Sequence, residues 1–435
     1  MKPPADTIFA LSSGALPAGV AVVRLSGPRA FRALEALTQK PLLEARQAAL
    51  RKIVGRSGLM LDKALVLTFQ APHSFTGEDV VELHLHGSRA VVHAVLGELG
   101  EMIGLRQAEA GEFSRRAFEN GRLDLIEAEG LAELISAETE MQRRLAVEQS
   151  FGGQSALYEG WAQRLTYARA MIEAELDFAD EDDVPGSVAD KMVQDIRKLQ
   201  DELGRHLTYA RAGEIIRDGY KIAIIGAPNA GKSSLLNALA SRDIAIVTEV
   251  AGTTRDIIHV DLDLDGYLVK LFDTAGLRDS EDLVEQEGIR RAWMAIEEAD
   301  LVIHLEEIDS RAERPELPRH KEILWVGSKS DLHQTSLNYD LCLSAKTGEG
   351  IPGLRAFIVE KIQGVWAGGS VPTRQRQLDL LKIASNSIRD ALNARELEFR
   401  AEHLRSAAAA LGRITGRVDV EQLLDVIFSQ FCIGK

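Results

Sequence analysis

Residues 222–233 read Ile222-Ala223-Ile224-Ile225-Gly226-Ala227-Pro228-Asn229-Ala230-Gly231-Lys232-Ser233. A short apolar run stops at a glycine, and Gly-Lys-Ser begins five residues later. This is the G-x-x-x-x-G-K-[ST] phosphate loop. The pattern predicts a strand over Ile222–Ile225 that carries the chain to a sheet edge. It also predicts a helix from about Ser233 to Ala240 whose positive end faces an anion. The two glycines let backbone N–H groups turn inward around phosphate oxygens. Lys232 supplies a cation for the β/γ-phosphates, and the Ser233 hydroxyl is placed for Mg²⁺. Asn229, Ala230, Gly231, Lys232, Ser233 and Ser234 are therefore the expected phosphate-binding residues.

Further along, Asp273-Thr274-Ala275-Gly276 closes a second apolar run, Tyr267–Phe272, in the arrangement D-x-x-G. Asp273 is expected to reach Mg²⁺ through water, and the Gly276 N–H to face the γ-phosphate. Gly252-Thr253-Thr254-Arg255-Asp256 lies between the two motifs, where a switch threonine belongs. Ser328-Lys329-Ser330-Asp331 follows the apolar run Ile323–Val326. The Asp331 carboxylate suits the N1–H and N2–H₂ donors of guanine. Adenine lacks that pair and would leave a buried carboxylate unpaired. Ser344-Ala345-Lys346 then supplies a guanine-side loop. Four signals in this order predict a P-loop GTPase domain of Ras-like α/β fold.

The chain has 435 residues and a formal net charge of −15. That length suits roughly two to four domains with cores of their own. The acidic balance offers no bulk attraction for nucleic acid, so any RNA contact is local or supplied by a partner. No apolar run reaches membrane-spanning length, and no signal peptide opens the chain. The two cysteines, Cys342 and Cys432, argue for a reducing, cytoplasmic setting and against a disulfide framework.

Residues 1–118 read as α+β. Val20–Leu25 and Ala64–Phe69 are expected strands. Val80–Gly87 alternates apolar and polar, which suits a half-buried strand. Glu82, His84 and His86 then share one face, either as a metal site or as a solvated, ligand-facing surface. Ser74–Asp79 is a turn-rich loop. Residues 119–212 are helical, with Leu123, Ile126, Leu131, Leu134 and Ile135 at three- and four-residue steps. Asp180-Glu181-Asp182-Asp183, before Pro185-Gly186, is either a divalent-ion site or a solvated turn. Arg211-Ala212-Gly213 is expected to end the helical pattern, and the GTPase domain to occupy 213–370. Residues 371–435 return to helix, with long helices over Gln377–Arg400 and Ala401–Leu411. Asp419 is expected to cap a last helix with Leu423, Leu424, Ile427, Phe428 and Phe431 as its apolar stripe. A compact domain with neighbouring ends can be inserted into another. The reading is a multidomain chain, α+β and α/β, whose helical domain, 119–212 and 371–435, is interrupted by the GTPase. The last four residues, Cys432-Ile433-Gly434-Lys435, do not make a prenylation box, because Gly434 is not aliphatic. Cys432 is either a placed thiol or part of a frayed end.

Ras-type enzymes place a glutamine after D-x-x-G to position the attacking water. Here that place holds Leu277, which cannot orient water, so the spread charge of the transition state needs another partner. Asn229 is either a ligand for a monovalent cation beside the phosphates or a turn-forming residue after Pro228. Glu285 is a candidate for orienting water, or a surface acid on a switch helix.

The chain resembles the tRNA modification GTPase MnmE (TrmE) family along its whole length. The likeness rests on Gly226–Ser233, Gly252–Asp256, Asp273-Thr274-Ala275-Gly276-Leu277-Arg278 and Phe431-Cys432-Ile433-Gly434-Lys435, together with the order of domains. Phe75-Thr76-Gly77-Glu78-Asp79 and Gly111-Glu112-Phe113-Ser114 add to it. The resemblance implies a homodimer joined through N-terminal folate-binding domains that take 5-formyltetrahydrofolate or a related tetrahydrofolate. It implies a flavoprotein partner, MnmG, in a heterotetramer or larger complex, acting on C5 of the wobble uridine of certain tRNAs. GTP hydrolysis would depend on K⁺. Asn229, Thr248, Val250 and Thr253 would hold K⁺, Ser233 and Thr254 would serve Mg²⁺, and Glu285 would act through a bridging water. Arg24, Glu82, Arg122 and Lys435 would lie at the folate site, with Cys432 near it. Two positions depart from the family. Ser328 stands where the guanine motif usually begins with Asn, which should weaken nucleotide affinity. Arg122 stands where Lys is common, which keeps the charge and changes the shape of a carboxylate contact. The competing class is a regulatory or assembly GTPase that switches without group transfer, because fold does not fix function.

Overall fold

The computed structural model describes residues 6–177, 188–242, 244–246, 259–273, 293–309, 315–334, 338–365, 369–418, 421–429, 431 and 434. The chain packs as two compact units. One comprises 1–132, 155–159 and 411–435, and the other 133–154 and 160–410.

The first unit is built on a six-stranded sheet in the order β3-β4-β5-β2-β1-β6. Its strands are β1 (Thr7–Leu11), β2 (Ala18–Ser26), β3 (Ala49–Val54), β4 (Met60–Phe69), β5 (Val80–Gly87) and β6 (Leu105–Gln107). Neighbours run antiparallel except β1 and β6, which are parallel. The alternation of β5 is realised in the fold. Val81, Leu83 and Leu85 are buried with Val23, Leu25, Leu34, Leu37, Val92, Val95 and Leu99. Helices α1 (Ala30–Thr38) and α2 (Arg89–Gly100) cover that face. Their apolar residues recur at helical spacing, and Ser88 caps α2 by accepting from the Val91 N–H. The opposite face carries Arg24, Glu82 and His84. It is partly covered by Phe75 and by Phe113 of α3 (Glu112–Glu119), which pack with Ile8 and Ala10.

The second unit holds a seven-stranded sheet in the order β13-β12-β11-β7-β10-β9-β8. Here β7 (Tyr220–Ile225), β10 (Tyr267–Asp273), β11 (Leu301–Glu307), β12 (Ile323–Ser328) and β13 (Leu341–Cys342) are parallel. β8 (Ile244–Ile246) and β9 (His259–Leu264) add an antiparallel edge. Successive residues of β7 face different cores. Ile222 and Ile224 join one cluster, while Ala223 and Ile225 join another. A strand buried on both faces reads as a continuous apolar run, as this one does. In a sheet of this kind ligands bind at the carboxyl ends of the strands where the strand order reverses. The chain moves from β7 to β10 on one side and returns to β11 on the other, so the end of β7 is that point.

Helices α4 (Leu125–Ser136), α5 (Glu140–Ser150), α6 (Gly153–Asp177), α7 (Val188–Thr208) and α8 (Ala210–Asp218) precede β7. Three expectations are corrected here. Gly213 does not end the helical pattern, because α8 runs through it to Asp218. A Cβ at Gly213 would lie 2.1 Å from the Pro372 carbonyl oxygen, so the glycine serves close packing. The stop is Gly219, with φ +92°. The later helices break at Ala394 rather than after Arg400, giving α11 (Gln375–Asn393) and α12 (Leu397–Thr415), after α10 (Ile351–Val365). The Arg400 guanidinium donates to the Ala391 and Ala394 carbonyls at 3.2 and 2.9 Å and satisfies them where the helix stops. Ile135, expected in the apolar stripe of α4, is exposed. Segment 371–373 is held by buried polar groups. Gln149 donates to Thr373 Oγ1 at 3.1 Å, Gln154 to the Val371 carbonyl at 3.0 Å, and Arg217 to the Thr373 carbonyl. The last described helix is α13 (Glu421–Ser429). Its Leu424, Ile427 and Phe428, with Phe431, pack on Phe118, Leu125 and Ala128.

Candidate nucleotide site and N-terminal cluster

The phosphate loop follows β7 and opens into α9 (Lys232–Arg242). Its two glycines differ in what they do. Gly226 has φ +148°, and a Cβ there would meet the Leu305 carbonyl oxygen at 2.1 Å. Gly231 has φ +99° with open space around it, so it supplies backbone conformation rather than room. Asn229 sits at φ +64° with an exposed side chain, which makes it a turn residue and leaves its amide open to a ligand. Ala230 is buried, while Ser233 and Ser234 are exposed on the first turn of α9. The Lys232 ammonium donates to the Gly226 and Ala227 carbonyls at 2.7 and 2.9 Å, which holds it inside the bowl of the loop. A fixed ammonium and a helix N-terminus behind a glycine-bounded loop suit a triphosphate. The exposed Ser233 hydroxyl suits Mg²⁺.

Asp273 ends β10 beside this loop, paired with Ile224 of β7. Thr248, Val250, Thr253, Thr254, Thr274, Ala275, Gly276, Leu277 and Glu285 lie outside the described residues, as do Asp180–Asp183, Asp419, Cys432 and Lys435.

The expected guanine side is assembled from the ends of β12 and β13. Asp331 accepts a hydrogen bond from Ser344 Oγ at 2.7 Å. Thr347 N–H donates to the same Ser344 oxygen, which fixes the loop that includes Ala345 and Lys346. The Ser344 hydroxyl, with the charge of Lys346 beyond it, holds the Asp331 carboxyl below the usual aspartate range. It is therefore ionised and ready for two N–H donors at neutral pH. Ser328 is buried, and its hydroxyl has no hydrogen-bond partner among the described residues. Lys329 stands at φ +60° and donates to Glu307 at 2.6 Å, while His333 Nε2 lies 3.2 Å from the other Glu307 oxygen. The sequence reading passed over Glu307. Its one signal in the sequence is its place as the second of two glutamates that close Leu301–Glu307.

On the open face of the first sheet, Arg24 donates from Nε and Nη2 to one Glu82 oxygen at 3.0 and 2.9 Å. Both side chains are about one-fifth exposed, at 20 % and 18 %. The guanidinium also lies 5.3 Å from the Phe75 ring centroid and 5.8 Å from that of Phe113. A carboxylate that takes N–H donors, set beside aromatic rings, suits a pterin. Arg122 is exposed and packs against Gly77, two residues beyond Phe75. The metal alternative for Glu82, His84 and His86 gains nothing. His86 turns to Asp62, with its ring nitrogen 2.7 Å away, and no group of three or more His, Cys, Asp or Glu side chains able to hold a metal occurs among the described residues.

A parallel sheet whose switch-point strand runs into a lysine-filled phosphate loop, with an aspartate–serine guanine edge beside it, defines a P-loop GTPase. The rest of the chain narrows this further. A profile described as "GTP-binding protein TrmE N-terminus" matches residues 7–122, and one described as "MnmE helical domain" matches residues 125–432. A Rhizobium johnstonii protein named tRNA modification GTPase MnmE is 58 % identical over 435 residues, covering 99 % of each chain. Relatives of the same name from Sinorhizobium medicae and Agrobacterium fabrum are 59 % and 54 % identical, covering 99 % and 100 % of this chain and the same shares of their own. The chain belongs to the tRNA modification GTPase MnmE family. Among solved structures, the G domain of the T. maritima FeoB iron transporter matches at 24 % identity with a TM-score of 0.24, over 32 % of this chain and 97 % of that one. Among the described residues no helix is long and apolar enough to cross a membrane.

Proposed function

We propose that this chain is a K⁺-dependent GTP hydrolase. With a flavoprotein partner of the MnmG type it adds an aminomethyl or carboxymethylaminomethyl group to C5 of the wobble uridine of certain tRNAs. The observation that carries the reading is the pairing, within this family, of a P-loop GTPase site with the Arg24–Glu82 pair set beside two phenylalanine rings.

Lys232 and the loop N–H groups bind and orient the phosphates. Asp331 selects guanine. Ser233 and Thr254 hold Mg²⁺, and Asn229, Thr248, Val250 and Thr253 hold K⁺. These ions supply positive charge where the transition state spreads negative charge. Leu277 cannot position the attacking water, so Glu285 does so through a second water. Asp273, Thr274, Ala275 and Gly276 line the γ-phosphate side. In the N-terminal part Arg24, Glu82, Arg122 and Lys435 bind a 5-formyltetrahydrofolate-type cofactor, whose role is to supply one carbon. Cys432 lies near it as acid or nucleophile. The chain works as a homodimer in the cytoplasm, joined through its N-terminal domains.

The test is mass analysis of wobble nucleosides in a strain lacking this gene, paired with GTP turnover of the purified protein in KCl and in NaCl at equal ionic strength. Loss of the modified uridine and faster turnover in KCl are expected. Unaltered nucleosides with K⁺-stimulated turnover would leave a regulatory GTPase instead, and equal turnover in both salts would remove the cation role.

A further inference from the structure

Beyond α13, Phe431 and Gly434 are each held within the first unit. At the near end, Phe431 N–H donates to the Phe428 carbonyl at 3.1 Å, and the two rings lie 5.4 Å apart. Gly111, which precedes α3, permits this. A Cβ there would stand 2.3 Å from the Phe428 carbonyl oxygen. At the far end, Gly434 is buried with φ +100°. A Cβ on it would stand 2.1 Å from the Leu11 carbonyl oxygen. The Ser12 hydroxyl donates to the Gly434 carbonyl at 2.8 Å, across 422 positions of sequence. Ser12 is itself fixed, because its N–H donates to the Val22 carbonyl at 2.7 Å. Ser13 Oγ accepts from the Val22 N–H at 3.1 Å. The latch thus sits just past the end of β1. Ala10, two residues back, pairs with Arg24 across the strands.

We propose that Ser12 is a positioning residue, whose hydroxyl latches Gly434 to the end of β1, where Ala10 pairs with Arg24. Gly434 is the matching half of the latch, since only a bare Cα fits against the Leu11 carbonyl. The proposal deepens the function above and rests on its assignment of Cys432 to the uridine chemistry. The latch serves that chemistry by fixing Gly434, two positions beyond the thiol in the sequence. No sequence signal marks Ser12, because its partner is almost a whole chain away.

The experiment measures alkylation of Cys432 by iodoacetamide in the full-length protein, followed by peptide mass analysis that separates it from Cys342. Wild type, Ser12→Ala, Ser12→Thr and Gly434→Ala are compared, with wobble-uridine modification assayed alongside. Losing one hydrogen bond should raise alkylation in Ser12→Ala by about 2- to 10-fold. Gly434→Ala should raise it at least as much, and Ser12→Thr, which keeps the hydroxyl, should restore the wild-type rate. Modification should fall in the same order. Alkylation of Ser12→Ala at the wild-type rate would overturn the latch. So would an equal rise in Ser12→Thr, since the hydroxyl would then not be the cause. If alkylation follows the expected order while wild type modifies no tRNA, the latch stands and the proposed function fails.

Discussion

The two sheets of this protein place their chemistry in opposite ways. The seven-stranded sheet is buried on both faces, so its strands cannot carry ligand-meeting groups along their length, only at their ends. Those groups sit on loops at the strand ends, where glycine and backbone N–H do much of the binding. The six-stranded sheet has one face against two helices and another that carries Arg24, Glu82 and His84 on the strands themselves. One site is therefore sensitive to backbone conformation, and the other to side chains.

The sharpest way to break this contrast is to add a methyl group to each sheet. Gly226→Ala forces a Cβ against the Leu305 carbonyl at a φ that side chains rarely adopt. It should lower stability by about 3 kcal/mol and abolish nucleotide binding. Gly19→Ala, in β2 with nothing within 4 Å, should change stability by less than about 0.5 kcal/mol. Urea denaturation of the two variants checks the pair, and comparable losses would defeat the distinction. Next in size is Lys232→Ala, which removes a buried ammonium from the loop. Affinity for GTP should fall by about 10- to 150-fold, measured by fluorescence titration.

A third region, the helices of the second unit, depends on neither loops nor strand faces but on burial. His206 packs edge-on to Trp161 at 5.4 Å, and burial lowers its pKa from 6.5 to about 4. The unfolded chain takes up a proton below pH 6.5, while the folded chain resists until pH 4. Stability is then full above the unfolded pKa and is lost as pH falls towards the folded one. The slope is about 1.4 kcal/mol per pH unit, or about 2 kcal/mol between pH 6.5 and 5. His206→Phe should flatten this part of the thermal-unfolding profile, and an unaltered slope would place the pH sensitivity elsewhere. Smallest of all is Glu82→Gln, which leaves Arg24 without a charged partner at a partly exposed site. A loss of about 1 kcal/mol in denaturation is expected, with a weakened affinity for tetrahydrofolate by calorimetry.

What could be read in the sequence follows the same division. The phosphate loop and the Asp331–Ser344 edge are local in sequence and rest on glycine and charge, so their spacing announces them. The alternation of Val80–Gly87 names its buried face directly. Gly213 misled, because a glycine that ends a helix and one that admits a carbonyl look alike until Pro372 is seen beside it. The break at Ala394 has no Gly or Pro to mark it, and depends on where Arg400 reaches. Ser12 was out of reach for the same reason: its meaning lies in a contact that only the fold creates.

The polar clasp around residues 371–373 also sets a timetable for synthesis. Gln149 is almost completely buried, and its amide bonds Thr373, which leaves the ribosome 224 residues later. At about 5–20 residues per second, that is a wait of about 10 to 45 seconds. During this interval Gln149 of α5, Gln154 of α6 and Arg217 of α8 await the chain at 371–373, while the intervening GTPase segment can collapse on its own core. The GTPase segment should therefore reach its native state before the helices that precede it. A stalled nascent chain ending before residue 371 would show a protease-resistant GTPase segment behind helices that are still cleaved.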